Sequence, residues 1–307
     1  MIARPTSPWA AHWASLLLGI LMTLPTPTRA TDSISAGINL TDDRGQTIHF
    51  DRAPLRIVSL LPSLTEALCE VGACTRLVGT DRYSNWPKSV DSLPKLGGIE
   101  DATVERIVAL HPDVVLLSQS ARGIDRLEEL GIPVVALRTN TFADAHRVLN
   151  LIAQMVGTPD RGEAAWQGVA ARIAAAAARV PERWRGRRVF FEVSEAPHAA
   201  SASSFIGELL ARLGLTNAVP GSLGPFPMLN PEYVVRAQPD LIMASTSELA
   251  GMASRPGWGT LIALKAGHTC GFPTASYEIL IRPGPRLGEA ADEIVNCLSH
   301  LPGLEAK

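Results

Sequence analysis

The chain has 307 residues, of which 46% are hydrophobic and 19% charged, with a formal net charge of −2. That length suits one large domain or two lobes of ordinary size, and the charge gives no reason to expect a nucleic-acid partner. The seven histidines form no H-x-H or H-E-x-x-H cluster, so no histidine-caged metal site is expected.

Residues 1–30 read as a targeting segment. Arg4 supplies positive charge, Trp13–Leu24 is an apolar run, and Thr28-Arg29-Ala30 ends in a small-residue cleavage pattern. The run is shorter than the about 20 apolar residues a membrane helix needs. No cysteine stands at the cleavage site, so a lipoprotein is not expected. The mature chain is expected in the periplasm, where disulfides persist. Cys69, Cys74, Cys270 and Cys297 allow three pairings. Cys69 and Cys74 are close enough to pair locally, which leaves Cys270 with Cys297; four buried thiols is the other reading.

Ile38–Phe50 reads as a hairpin turning at Asp42-Asp43-Arg44-Gly45. Arg56–Leu61 is an apolar run suited to a buried parallel strand. Ser63-Leu64-Thr65-Glu66 has the form of a capping box, so a helix should start there and end at Gly72. Strands are expected at Leu77–Gly79, Val114–Ser118 and Val134–Leu137, alternating with helices at Val104–Leu110, Gly123–Leu130 and Phe142–Val156. This order predicts an α/β fold with a parallel sheet flanked by helices.

Thr158–Pro181 predicts one long helix, roughly 33 Å from end to end at 1.5 Å per residue. Thr158 is the expected cap, Pro159 suits the first turn, and Pro181 stops it. Trp166, Val169, Ala170, Ile173, Ala177 and Val180 share a face. After it the pattern restarts. Val189–Val193 is a strand, Ser204 caps a helix through Leu213, Leu241–Ala244 and His268–Phe272 are strands, and Arg286–Leu298 is a helix. The expected division is therefore 31–157, a bridging helix at 158–181, and 182–307. An internal repeat supports it: Val104–Leu116 echoes Pro231–Met243, with Glu105 and Glu232 opening equivalent helices behind the N-caps Thr103 and Asn230, and Pro-Asp ending each.

The ordered segments RIVSLLPSLTE, RLVGTDRYSNWP, VERIVALHPDVVL, a long helix, FIGELLARLG, PEYVVRAQPDLIM and RPGPR resemble the periplasmic substrate-binding proteins of ABC importers for vitamin B12, haem and ferric siderophores. The likeness covers residues 38–300 and is nearest to the vitamin B12 receptors, through Tyr83-Ser84-Asn85-Trp86-Pro87 and Arg282–Arg286. It implies two α/β lobes bridged by one rigid helix, the class III arrangement, with cobalamin or a related corrinoid between them. It also implies a monomer without a resident cofactor that delivers its ligand to an inner-membrane permease dimer. The Pro62-Ser63 turn, at a strand end, is expected to point backbone donors into the cleft. By the resemblance Tyr83, Phe226, Glu278 and Arg282 bind the ligand, with Trp86 following on the Tyr83 loop, and Glu105 and Glu232 meet the permease, one from each lobe. Aromatic faces suit a corrin's apolar periphery and polar groups its amide side chains. Where the receptors carry a tryptophan, an acid and a cysteine, this chain has Ile99, Ile281 and Leu213. Haem or a ferric siderophore is the alternative ligand, with Tyr83 or His198 as an iron ligand. Trp258 reads as packing. An enzyme is not expected, since no G-x-S-x-G, G-x-x-x-x-G-K-[ST] or strand-borne G-x-G-x-x-G motif is present.

Overall fold

The hairpin comes first. Strands β1 (Ile38–Thr41) and β2 (Thr47–Phe50) pair antiparallel, and Asp42 closes the turn by accepting the amides of Arg44 and Gln46 at 2.9 and 3.0 Å. The same carboxylate accepts the Ala136 amide, and that of Asp43 accepts the Arg138 amide, so the hairpin is fastened to the edge of the neighbouring sheet. The protein is described here by a computed structural model covering residues 37–98, 100–194 and 197–303. The expected targeting segment and Ile99 lie outside these residues.

The first half continues with β3 (Ile57–Ser59), α1 (Pro62–Glu70), β4 (Leu77–Thr80), α2 (Val104–Val108), β5 (Val114–Ser118), α3 (Ile124–Glu129), β6 (Val134–Leu137) and α4 (Phe142–Met155). Its four strands are parallel in the order β4-β3-β5-β6. Next comes α5 (Pro159–Ala178). The second half holds β7 (Arg188–Ser194), β8 (His198–Ala199), α6 (Phe205–Arg212), β9 (Thr216–Asn217), α7 (Pro231–Ala237), β10 (Leu241–Ser245), α8 (Thr246–Met252), α9 (Ile262–Lys265), β11 (Thr269–Phe272), α10 (Thr274–Leu280) and α11 (Leu287–His300). Its parallel strands run β9-β7-β10-β11, with β8 added antiparallel to β7. In each half the first parallel strand lies between the second and the third, so the two sheets share one topology. Apolar clusters cover both faces of each sheet, as continuous apolar strands require.

The repeat has a structural reason in its Pro-Asp. Asp113 accepts the amides of Leu55 and Arg56 at 2.7 and 2.8 Å, at the entry to β3. Asp240 accepts the amide of Arg188 at 2.8 Å, at the entry to β7. The arginines reciprocate: Arg56 donates to the Leu110 and His111 carbonyls, and Arg188 to that of Ala237, which satisfies helix-end acceptors. His111 and Gln238, each just before the proline, have φ of 46° and 40°. Both are non-glycine residues in the left-handed region, where few side chains are tolerated.

The long helix packs on α4 and on α11. Trp166 touches the apolar clusters of both halves, edges onto Phe142 and stacks on His146 at 4.8 Å. Arg172 and Arg179 pair with Asp292 on α11. Both disulfides of the local-pairing scheme are present, Cys69–Cys74 and Cys270–Cys297. Trp258 is fully buried against Phe190, as expected of packing.

Several local expectations need correction. Ser63–Glu66 is no capping box: Leu61 holds the N-cap position with no side-chain bond, Pro62 starts the helix, and Glu66 reaches Arg282 instead. Proline needs no donor at that position, so the helix begins two residues earlier than a cap at Ser63 would give. Thr158 stands at the cap of α5 but gives its hydroxyl to the Val71 carbonyl, and α5 ends at Ala178 rather than Pro181. Its buried face uses Gly162 and Ala176, whereas Ala170 is exposed. Thr103 makes no side-chain cap, while Asn230 caps Glu232 and Ser204 caps Gly207 as expected. The last strand starts at Thr269; His268 before it is buried edge-on to Trp184.

Candidate functional site

The carboxyl ends of both sheets open on one cavity of about 470 Å³. Open parallel sheets hold ligands at this position. From the first half come Leu61, Pro62 and Ser63 after β3, Tyr83 after β4, and Thr139 and Asn140 after β6. From the second come Val193 on β7, Phe205 and Ile206 at the start of α6, Phe226, and the run Glu278, Ile281, Arg282 and Pro283. The second wall is the more apolar. Phe226 is half-buried and packs on Phe205 with ring centroids 5.7 Å apart. Tyr83, by contrast, is 60% exposed. Trp86 lies on the same loop, 46% exposed, with the Arg286 guanidinium 4.3 Å from its ring centre.

The charges are paired beneath this surface. Among the described lining residues, only Glu278 and Arg282 are charged, and they meet each other at 3.2 Å. The Arg282 side chain is buried and also donates to Glu66 Oε1 at 2.9 Å, to Asn85 Oδ1 at 2.8 Å and to the Tyr83 carbonyl at 3.0 Å. Burial pushes the Glu66 carboxyl up from its ordinary value, against the pull of Arg282 and Arg286. Behind the loop, the buried Ser59, Thr65 and Ser84 hydroxyls run in a chain to Asp81. Burial raises Asp81 too, although Ser84 and two backbone amides stabilise its charged form. Among the described residues, no group of three or more His, Cys, Asp or Glu is placed to hold a metal ion. No described helix is long and apolar enough to cross a membrane.

A family model for periplasmic binding proteins matches residues 57–274, from β3 into α10. The chain belongs to that family. It is 25% identical over 308 residues to the ABC transporter substrate-binding lipoprotein YvrC of Bacillus subtilis, across 94% of this chain and 96% of the relative. To a vitamin B12-binding protein of Vibrio parahaemolyticus it is 25% identical over 244 residues, across 78% of this chain and 87% of that one. The apo form of the periplasmic heme-binding protein RhuT from Roseiflexus sp. RS-1 shares the fold, with a TM-score of 0.68 at 24% identity, covering 79% of this chain and 97% of that one.

Six of the seven expected binding residues line the cavity: Pro62, Ser63, Tyr83, Phe226, Glu278 and Arg282. Trp86 does not line it, but stands on the loop beside Tyr83. His198 is not a lining residue; its ring lies 3.3 Å from the Ser194 hydroxyl. Sequence reading missed Leu61, Pro283, Thr139, Asn140, Val193, Phe205 and Ile206. The signal was available for the last two, since a helix capped at Ser204 directs its first turn toward the same crevice as α1. Asn140 also accepts the Phe205 amide at 2.8 Å, a contact between the halves that no local pattern encodes.

Proposed function

We propose that this binding protein captures cobalamin or a close corrinoid relative in the periplasm, without chemical change, and hands it to the permease of an ABC importer. The observation that carries this reading is the neutrality of the cavity. Its one lining acid and one lining base are ion-paired with each other, and the remaining described lining is apolar or uncharged. A corrin presents methyl groups and neutral amides, which apolar and aromatic walls and backbone polar groups accommodate. Haem carries two carboxylates and calls for an unpaired cation, so it is the second reading; the shared fold with a heme-binding protein keeps it in view. Tyr83 would then be the available iron ligand.

Absorbance titration of the purified mature protein with cyanocobalamin, dicyanocobinamide and haemin tests the choice. We expect saturation at one corrinoid per chain. Saturation by haemin, with no response to either corrinoid, would overturn the corrinoid reading.

The segments 31–157 and 182–307 act in this proposal as two lobes of a monomer, held by α5 with little hinge motion. Scattering from apo and loaded protein should give nearly the same radius of gyration; a marked contraction would refute the rigid bridge. Glu105 and Glu232, both exposed in the first turns of α2 and α7, are the proposed permease contacts. A pseudo-twofold receptor on a twofold permease needs equivalent points of this kind. The double change Glu105→Ala with Glu232→Ala should leave ligand affinity intact and abolish uptake by cells. Normal uptake would remove the docking role.

A further inference from the structure

Tyr83 and Trp86 are exposed aromatics on a loop that is fastened from two sides. From its own sheet, Asp81 accepts the amides of Tyr83 and Ser84 at 2.7 and 3.0 Å, and Lys95 donates to the Ser84 carbonyl. From the other half come two arginines. Each Nη nitrogen of Arg282 has two partners: Glu66 and Asn85 for one, the Tyr83 carbonyl and Glu278 for the other. Asn85 closes the ring by donating to Glu278 Oε2 at 2.7 Å. Arg286 lies under Trp86 and 3.7 Å from Glu66.

The resemblance assigns Arg282 to ligand binding, but its geometry argues otherwise. A guanidinium has five donors; three hydrogen bonds from the Nη nitrogens go to Glu66, Asn85 and the Tyr83 carbonyl, and Glu278 adds an ion pair at 3.2 Å. The side chain is only 6% exposed, and its Glu66 partner 2%. Moving it to a ligand would take from the buried Glu66 carboxylate its hydrogen-bonded arginine, leaving Arg286 at 3.7 Å, which is costly. We propose that Arg282 is a positioning residue: through the Tyr83 carbonyl and Asn85 it sets the pose of the Tyr83–Trp86 loop, and Tyr83, not Arg282, meets the ligand. The aromatic face offered by the first half is thus set by the C-terminal segment of the second. This rests on the corrinoid reading for its binding arm alone.

The test compares wild type, Arg282→Lys, Asn85→Ala, Tyr83→Ala and the Arg282→Lys/Tyr83→Ala pair. Lysine keeps the charge but not the planar fork. Asn85→Ala removes one partner at an exposed position, and keeps the test open should the arginine variant fold poorly. In ligand-free protein, the Tyr83 and Ser84 amides should exchange with deuterium about 10-fold faster in Arg282→Lys, and those of β3 at the wild-type rate. The dissociation constant for dicyanocobinamide should rise about 10-fold in Arg282→Lys. With Tyr83 already replaced, the same arginine change should cost less than about 2-fold, the non-additivity of two residues acting as one. Additive losses would show that Arg282 touches the ligand itself and overturn the proposal, as would unchanged exchange in both Arg282→Lys and Asn85→Ala. If wild type ignores dicyanocobinamide, the ligand reading fails, and the exchange rates alone decide whether the arginine holds the loop.

Discussion

Around the first sheet the largest fully buried side chains are aliphatic: Ile57, Leu64, Leu68, Leu96, Ile107, Leu116, Leu117 and Leu127. Around the second they are aromatic: Trp184, Phe190, Phe191 and Trp258. The strand order and the Asp-to-strand lock are the same in both halves, so the backbone plan does not dictate the core's chemistry. The first half buries Phe50 and Phe142 but leaves two aromatics exposed on one loop, Tyr83 at the cavity and Trp86 beside it. Its polar ties include Asp42 fastening the hairpin and Asp81 the aromatic loop. The second half has the buried Glu192–Arg255 pair and a disulfide between β11 and α11, as the first has Cys69–Cys74.

That contrast is sharpest at Trp184, which is fully buried and donates its indole N–H to the Leu298 carbonyl at 2.9 Å. Trp184→Ala should cost about 3–5 kcal/mol through lost burial and a cavity. Leu116→Ala should fall below it within the about 2–5 kcal/mol typical of leucine. Urea unfolding of both variants measures the difference; a larger loss for Leu116→Ala would reverse the comparison.

The disulfides come next. Cys270–Cys297 spans 27 residues and Cys69–Cys74 only 5. Loop-closure entropy then predicts about 3–4 kcal/mol for the first and about 2 kcal/mol for the second. Paired Cys→Ser changes, followed by calorimetry, should show the larger drop in melting temperature for the 270–297 pair. Equal drops would mean that the unfolded chain does not control the effect.

Acid should act on the first half. Burial pushes the Asp42 carboxyl up, but Arg44 and the amides of Ala136, Gln46 and Arg44 outweigh it and hold it below its ordinary value. Burial likewise opposes Asp144, and Arg138, the Asn140 amide and the Thr141 hydroxyl bring it down. A carboxyl lowered by folding adds stability above its unfolded pKa, about 3.9, and that stability is lost as pH falls through the folded value. Asp42→Asn should therefore cost about 2 kcal/mol at neutral pH and flatten the acid limb of the stability curve. An acid limb as steep as wild type would place the sensitive groups elsewhere.

The smallest effect separates two otherwise equivalent helices. Asn230 accepts the Glu232 amide at 2.9 Å, whereas Thr103 makes no such bond. Asn230→Ala should cost about 1 kcal/mol, and Thr103→Ala close to nothing. Matching losses in thermal melts would say that the two caps are equivalent in solution.

Much of the fold was legible because it is local. Continuous apolar runs located β5 and β6 to the residue, Ser204 and Leu213 bracketed α6, and the Pro-Asp repeat announced two related halves. Proline signals also placed α5 within a few residues. The two-residue strands β8 and β9 and the helix α10 escaped, since they carry neither a continuous apolar run nor a side-chain cap. The site was legible in part: the residues at strand ends were identifiable, but not what their side chains touch. Glu66 reads as half of a capping box three residues after Ser63, yet a proline at the first helical turn makes that box unnecessary and frees the carboxylate for Arg282.

By itself, then, the chain's order of residues determined the elements, their parallel arrangement, the cysteine pairs open to it and the family it resembles. Tertiary structure decided which charges neutralise one another. Arg282 and Glu66 are 216 positions apart in the chain, and Asn85 and Glu278 are 193 apart. Ion pairing depends on distance and burial in space, and neither is encoded in local spacing. Whether an arginine near a cavity binds a ligand or holds a loop is therefore settled only when the two halves meet.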